Sequence, residues 1–207
     1  MERGILLFRH GETEWNAIGR LQGSDDSPLT ARGLAQAARL AEWAARRGVR
    51  HVVASPLGRA QATARRIADA CGATLTVRPA LAEMNFGDCA GFTLAECDER
   101  FPGLLEERAK DRWAHRWPGG EGYPDLVRRL ADWLAAEPGA LAGEDVAVVA
   151  HQALNRALLQ VLTGCPPERV LAGAQSAAQA IEVFAGGDWQ VLDVAESEPA
   201  AHPHGVI

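Results

Sequence analysis

The chain reads as an α/β protein: a three-layer α/β/α arrangement in which a mostly parallel sheet is flanked by helices, with an inserted helical lid segment. Two observations predict it. Short apolar runs of strand length alternate with longer stretches of helical periodicity, the pattern of a parallel sheet covered on both faces. Three of those runs also end abruptly in polar residues, as strands do where their carboxyl ends form a ligand-binding edge. The 207 residues are taken as a single domain, 1–207, with 85–125 as a lid and specificity insertion within it.

Gly4-Ile5-Leu6-Leu7-Phe8 has the length and composition of a buried strand and leads straight into Arg9-His10-Gly11-Glu12-Thr13. A loop rich in turn residues follows, from Gly19 to Pro28. Thr30 then caps a helix to about Arg47, with Leu34, Ala38, Ala41 and Ala45 on one face and Gly48 as its stop. Val49 to Ala54 is a second strand. Ser55-Pro56 reads as an N-cap with proline at the first helical position, opening a helix with Ala60, Ala64, Ile67 and Cys71 on one face. Thr74 to Val77 is a third strand.

Residues 85 to 122 interrupt this rhythm. Trp113, His115 and Trp117 alternate there with Arg112 and Arg116, ahead of Pro118-Gly119-Gly120. The stretch is neither low-complexity nor poor in apolar residues, so it reads as a helical excursion that packs its tryptophans inward. A helix from about Pro124 to Ala136 carries Leu126, Leu130, Trp133 and Leu134. Asp145 to Ala150 is a near-continuous apolar strand ending at His151, and the next helix shows Leu154, Leu158, Val161 and Leu162. Ile181 to Phe184 and Trp189 to Val194, joined by Ala185-Gly186-Gly187-Asp188, form a closing hairpin. The last residues read as a frayed tail.

Hydrophobic residues make up 47% and charged residues 23%, the balance of an ordinary globular protein. The formal net charge of −6 disfavours a general nucleic-acid or anionic-membrane surface, so an anionic ligand needs a local positive pocket. No apolar run approaches membrane-spanning length, and the early first strand leaves no room for a signal peptide. Cys71, Cys89, Cys97 and Cys165 are scattered and read as reduced thiols, which together predicts a cytoplasmic protein. The His202-Pro203-His204 tail lacks the supporting ligands of a metal site, and no metal or cofactor is expected. An exposed hairpin or edge strand leaves a homodimer open.

If the three polar-ended strands are parallel neighbours, Arg9, His10, Arg59 and His151 converge on one rim. Arg59 also falls in the first turn of a helix, where a cation opposes the macrodipole unless an anion sits there. Singly, each residue has a plain alternative. His10 and His151 could be satisfied structural histidines, Glu83 a solvated loop carboxylate, and His51 and His115 structural or surface residues.

Together the residues resemble a family. Arg9-His10-Gly11-Glu12-Thr13, Asn16, Gly19-Arg20-Leu21-Gln22-Gly23, Asp26-Ser27-Pro28-Leu29-Thr30 and Gly33 are similar, in order, to the opening of the histidine phosphatase (phosphoglycerate-mutase-like) superfamily. Ser55-Pro56-Leu57-Gly58-Arg59-Ala60, Leu81 to Gly91 around Glu83, Pro118-Gly119-Gly120-Glu121 and Val149-Ala150-His151 continue the likeness to about residue 163. The resemblance implies a phosphomonoester hydrolase acting on a small phosphorylated metabolite. His10 is then the nucleophile that forms a phosphohistidine, Arg9, Arg59 and His151 hold the phosphoryl oxygens, and Glu83 is the acid and base. Asn16, Gln22, Gly23 and Gln152 belong to the phosphate-binding set, with no metal. Gln152 stands where the family usually has glycine, Gly122 where serine is common, and Cys89-Ala90 where a tryptophan and an acidic residue are frequent.

The short Glu83-Met84-Asn85-Phe86-Gly87 pattern resembles the phosphatase branch, and with the later Pro-Gly-Gly-Glu it is similar to α-ribazole phosphatases of cobalamin assembly. Cofactor-dependent phosphoglycerate mutases of the family carry a longer segment there, with an Arg- and Tyr-containing stretch. A catalytically silent binding protein on the same fold is the remaining alternative. Silent relatives typically lose the nucleophile or an arginine, and this chain keeps both.

Overall fold

The computed structural model describes residues 4–143 and 145–194. The expected frayed tail and the His202-Pro203-His204 motif lie outside the described residues. Six strands form one sheet in the order β3-β2-β4-β1-β5-β6. They are β1 (Ile5–Arg9), β2 (His51–Ala54), β3 (Thr74–Val77), β4 (Val146–Ala150), β5 (Gln179–Val183) and β6 (Trp189–Asp193). Neighbours β3, β2, β4 and β1 pair in parallel, while β5 runs antiparallel to both β1 and β6. The sheet is therefore mixed, with the expected hairpin as its antiparallel edge.

Strand alternation sends side chains to two separate cores. On β1, Leu7 enters one core while Leu6 and Phe8 enter the other; on β4, Val146, Val148 and Ala150 separate in the same way from Ala147 and Val149. The core holding Leu6 and Phe8 is covered by α2 (Ala31–Arg46) and α3 (Gly58–Cys71). The core holding Leu7 is covered by α6 (Tyr123–Ala136) and α7 (Gln152–Thr163), with Val170 of α8 (Pro167–Leu171). This is a sheet covered by helices on both faces. A short α1 (Glu14–Ala17) lies in the loop after β1.

The insertion holds two short helices, α4 (Leu94–Arg100) and α5 (Leu104–Lys110), followed by turns. Trp117 is buried against Phe86, and Trp113 stacks on Tyr123 with ring centroids 4.7 Å apart. No helix among the described residues is long and apolar enough to cross a membrane.

Two local expectations are corrected. The buried face of α2 is Gly33, Gln36, Ala37, Leu40, Ala41 and Ala44, not the stripe through Leu34, which is exposed. Alanine occurs all round this helix, so apolar spacing alone does not choose a face. Ser55 is not the N-cap of α3, which begins at Gly58 after Leu57; Ser55 is fully buried, and its hydroxyl accepts the Leu57 N–H at 3.3 Å and meets His151 Nε2. The Asp26 carboxylate caps that helix instead, accepting the Arg59 backbone N–H at 3.2 and 3.3 Å.

Two glycine seams hold loops against the frame. A Cβ on Gly11 would lie 2.3 Å from the Gly33 carbonyl, and one on Gly33 would lie 1.9 Å from the Glu12 carbonyl. Backbone thus meets backbone where the loop after β1 crosses α2. Gly87 and Gly120 form the second seam, a Cβ on Gly120 meeting the Asn85 carbonyl oxygen at 2.4 Å.

Replacing Leu130, fully buried on α6, by alanine is expected to cost about 2–5 kcal/mol in denaturant unfolding. For Gly33→Ala, the helix-propensity gain of about 1 kcal/mol is outweighed by the clash with the Glu12 carbonyl. A net loss of about 1–3 kcal/mol is expected from the same measurement, and a stabilised variant would refute the seam.

Candidate active site

β4 lies between β1 and β2, parallel to both, with Arg9 opposite Ala150 and Ala54 opposite Val149. The three carboxyl ends therefore form one rim, as the polar strand endings predicted. His10 follows β1 and donates its backbone N–H to the Ala150 carbonyl (3.1 Å); Ser55 follows β2 and donates to that of Val149 (3.0 Å). His151 follows β4 as the residue before α7.

The His10 ring is 4% exposed, with Nδ1 2.7 Å from the Gly11 carbonyl oxygen. A carbonyl only accepts, so in the neutral ring Nδ1 carries the proton and Nε2 keeps its lone pair. Burial, then Arg59 and Arg9, push the His10 pKa well below that of free imidazole, which favours this neutral form. The result is an uncharged imidazole next to fixed positive charge.

Arg59 is 3% exposed and heavily tethered. Its Nη1 donates to the Asp25 carbonyl (2.5 Å) and Asp26 Oδ1 (3.1 Å), and its Nη2 donates to the Gly23 carbonyl (2.8 Å). The anion missing from the dipole argument is thus Asp26, and Gly23 acts as an anchor for the guanidinium. Arg9 Nη1 donates to the Gln175 carbonyl at 3.2 Å. Arg32, the other first-turn arginine, pairs with Glu12 at the surface (3.2 Å).

Glu83 sits over the start of α7, where Oε1 accepts from Leu154 N–H (3.1 Å) and Met84 N–H (2.8 Å). Burial raises its pKa, while these amides and Arg59 oppose the rise. The segment carrying it is clamped on both sides. Arg129 Nη1 donates to the carbonyls of Ala80 (3.0 Å) and Ala82 (2.9 Å), and its Nη2 donates to Glu121 Oε2 (3.3 Å), which also accepts the Asn85 N–H (2.8 Å). Neither half of this clamp was picked out as part of the site from the sequence; the Pro118-Gly119-Gly120-Glu121 motif was its visible trace.

His151 is fully buried, its ring centroid 5.1 Å from that of His10, and its Nε2 lies 2.7 Å from Ser55 Oγ. Its Nδ1 has no hydrogen-bond partner among the described residues. Ser55 is therefore a site residue misread as a cap; its place directly after an apolar strand, like that of His10, was the available signal.

Of the neutral set, Asn16, Gln22, Gly23 and Gln152 all line the cleft with Arg9, His10, Arg59 and Glu83. Gln22 donates Nε2–H to Thr13 Oγ1 (2.6 Å) and accepts from Ser27 (3.0 Å), while the Asn16 side-chain oxygen accepts the Thr13 N–H (3.2 Å). Gln152 opens α7 with Nε2 buried and unpartnered among the described residues. His115, read from the sequence as structural or surface, instead lines the cleft in the insertion. His51 is exposed at the start of β2 with Nδ1 against Thr74 Oγ1 (2.9 Å). Among the described residues, no three His, Cys, Asp or Glu side chains group to hold a metal ion. A neutral imidazole between two tethered guanidiniums suits attack on an anionic electrophile, because the cations offset charge repulsion at the approaching ligand.

Comparison with known proteins agrees with this geometry. The pattern of the histidine phosphatase superfamily (branch 1) matches residues 5–197, well beyond the likeness read to about residue 163. The chain is 36% identical over 162 residues to a protein named "Probable phosphoglycerate mutase GpmB" from Yersinia pestis, covering 78% of this chain and 75% of that one. A mycobacterial glucosyl-3-phosphoglycerate phosphatase in complex with VO3 superposes with a TM-score of 0.78 at 28% identity, covering 96% of this chain and 100% of that one. The α-ribazole phosphatase of Shigella flexneri gives 0.76 at 26% identity, over 96% and 99%. The strand-end histidines, the tethered arginines and this match across nearly the whole chain lead to one conclusion: the protein belongs to branch 1 of the histidine phosphatase superfamily.

Proposed function

We propose that this protein hydrolyses small phosphomonoesters through a phosphohistidine on His10. The observation that carries the reading is the His10 ring itself, with Nδ1–H held by the Gly11 carbonyl and Nε2 left as the lone-pair nitrogen beside Arg9 and Arg59. In the first step Nε2 attacks phosphorus in line, and the ester P–O bond breaks as Glu83 gives its proton to the departing oxygen. Arg9, Arg59 and His151 hold the phosphoryl oxygens, with Asn16, Gln22 and Gln152 adding neutral hydrogen bonds. In the second step the Glu83 carboxylate takes a proton from water as its oxygen attacks phosphorus, and the P–N bond breaks to return His10 and release phosphate. A structural neighbour forms a complex with VO3, which supports binding of an oxyanion by a protein of this fold.

A second reading, phosphoglycerate mutation, is favoured by the name of the Yersinia relative. Against it stands the short connection after Glu83, which turns through a 3-10 segment at Gly87–Cys89 and lacks the longer Arg- and Tyr-containing stretch of the cofactor-dependent mutases. The α-ribazole phosphatase neighbour supports that substrate as one arm of a substrate panel.

Rapid quench without acid, using a labelled phosphomonoester, is expected to leave label on His10. Absence of label with binding intact would remove the enzyme reading, and isomerisation of 3-phosphoglycerate outrunning phosphate release would assign a mutase.

Glu83→Gln should lower kcat/KM, which reports His10 phosphorylation, by about 10²–10⁴-fold for alkyl phosphates and far less for p-nitrophenyl phosphate, whose leaving group needs no proton. Phosphorylation requires neutral His10 and protonated Glu83. The lowered His10 pKa places the acid limb below that of free imidazole. The raised Glu83 pKa carries its acid form to higher pH than an ordinary carboxyl. Single-turnover phosphorylation of an alkyl ester should therefore fall as pH rises through the Glu83 pKa, and Glu83→Gln should abolish that limb.

A further inference from the structure

Ser55 is wholly buried at the end of β2, and nothing in the phosphoryl chemistry above uses it. Its backbone is pinned to β4, where its N–H donates to the Val149 carbonyl at 3.0 Å. Its hydroxyl reaches the residue that follows that strand, with Oγ 2.7 Å from His151 Nε2. The His151 backbone is fixed independently, because its carbonyl accepts the Asn155 N–H at 2.8 Å in the first turn of α7. A buried hydroxyl and a buried imidazole are thus held together by the paired ends of two strands.

The protons at this contact have one arrangement that leaves the serine satisfied. A serine hydroxyl has one proton and two lone pairs, and a neutral imidazole has one N–H and one bare nitrogen. Among the described residues, Ser55 Oγ has one other polar contact, the Leu57 N–H at 3.3 Å, which can only donate. That bond occupies a lone pair, and the hydroxyl proton then has His151 Nε2 as the acceptor within reach. With Nε2–H donating to Oγ instead, the hydroxyl proton would be buried and unmet. A charged ring would leave it unmet as well. Burial, then Arg59 and His10, hold His151 well below the pKa of free imidazole, which favours the neutral ring. Nε2 therefore accepts and Nδ1 carries the ring proton.

That proton is the unsatisfied group of the site. His151 Nδ1 is buried without a partner among the described residues, and the His10 ring lies beside it at 5.1 Å between centroids. Buried donors are rarely left unpaired, and an oxyanion arriving at His10 would supply the missing acceptor. We propose that Ser55 is a positioning residue that fixes His151 as its Nδ1–H tautomer, so that a neutral donor meets the phosphoryl group during transfer to and from His10. A bare Nδ1 would instead present a lone pair to the phosphoryl oxygens and repel them. Ser55 acts through His151 and touches no reacting atom. This inference rests on the phosphohistidine reading above, in which His151 holds a phosphoryl oxygen, and the test separates the two.

Nitrogen-15 NMR of the wild type, with His151→Ala to assign the signals, is expected to show His151 Nδ1 protonated and Nε2 bare at neutral pH. In Ser55→Ala the ring should shift towards the Nε2–H form. In the same variant kcat/KM for p-nitrophenyl phosphate should fall about 10–10³-fold, the scale of losing or misdirecting one oxyanion donor. In a His151→Ala background, Ser55→Ala should cost almost nothing further, since a residue that acts through His151 has nothing left to act on. The same cycle on orthovanadate affinity reads the coupling without turnover. An Nε2–H tautomer in the wild type, unchanged kcat/KM in Ser55→Ala, or equal losses in both backgrounds overturns the proposal. The wild-type spectrum decides alone if Ser55→Ala does not fold. A wild type that neither hydrolyses phosphomonoesters nor takes up label, yet shows the Nδ1–H tautomer and Ser55-dependent vanadate binding, would keep the positioning role and discard the phosphatase reading.

Discussion

A neutral imidazole is held between two permanently charged guanidiniums, and the other features of the site follow from keeping that combination stable. Burial disfavours any charge, so it lowers the proton affinity of His10 and also works against the charges on Arg9 and Arg59. The fold answers the second problem with fixed acceptors. Arg59 is surrounded by Asp26 and by the carbonyls of Asp25 and Gly23, Arg9 by the Gln175 carbonyl, and Glu83 supplies negative charge to both arginines. It leaves the imidazole without a charged partner: among the described residues no carboxylate hydrogen-bonds His10, whose Nδ1 contact is a neutral carbonyl. A carboxylate in that position would have raised the His10 pKa and cost the ring its lone pair at low pH.

The site is also rigid where the chemistry demands it. Parallel pairing of β1, β4 and β2 aligns the backbones that carry His10, His151 and Ser55, and the Gly11–Gly33 contact fixes the loop immediately after His10. Glu83 lies on irregular chain between a 3-10 turn and the insertion, where no ladder holds it. Arg129, Glu121 and the α7 amides take over that task, and the Gly87–Gly120 seam closes the same region. Positioning is thus divided between the sheet and a hydrogen-bonded clamp. Arg108 and Arg112 of the insertion line the same cleft as Arg156 of α7.

The relatives differ in named activity while sharing the fold. A mycobacterial phosphatase and an α-ribazole phosphatase superpose over most of the chain, and the Yersinia relative is named a mutase.

Much of this was readable from residue order. Apolar runs of strand length ending in Arg9-His10, Ser55 and His151 specify a sheet edge, because burial on both faces requires continuous hydrophobicity and the edge does not. Ordered motifs located Asn16, Gln22, Gly23, Arg59, Glu83 and Gln152 in the same cleft. Other features were hidden for physical reasons. On the alanine-rich α2 apolar residues occur on every side, and the readable signal was the charged face of Arg32, Arg39, Glu42 and Arg46 opposite the buried Gly33, Ala37, Leu40 and Ala44. Ser55 beside proline satisfies the local rule for a helix cap, yet its hydroxyl meets His151 from a strand 96 residues away in sequence. Arg108, Arg112 and Arg156 belong to no common spacing, and only folding of the insertion over α7 places them around Tyr123. The sequence alone determined the sheet, its reactive edge and the class of chemistry, since these depend on local pattern and residue type. Tertiary structure decided which charges face one another, because Coulomb and hydrogen-bond energies depend on distances between chain segments that sequence order does not contain.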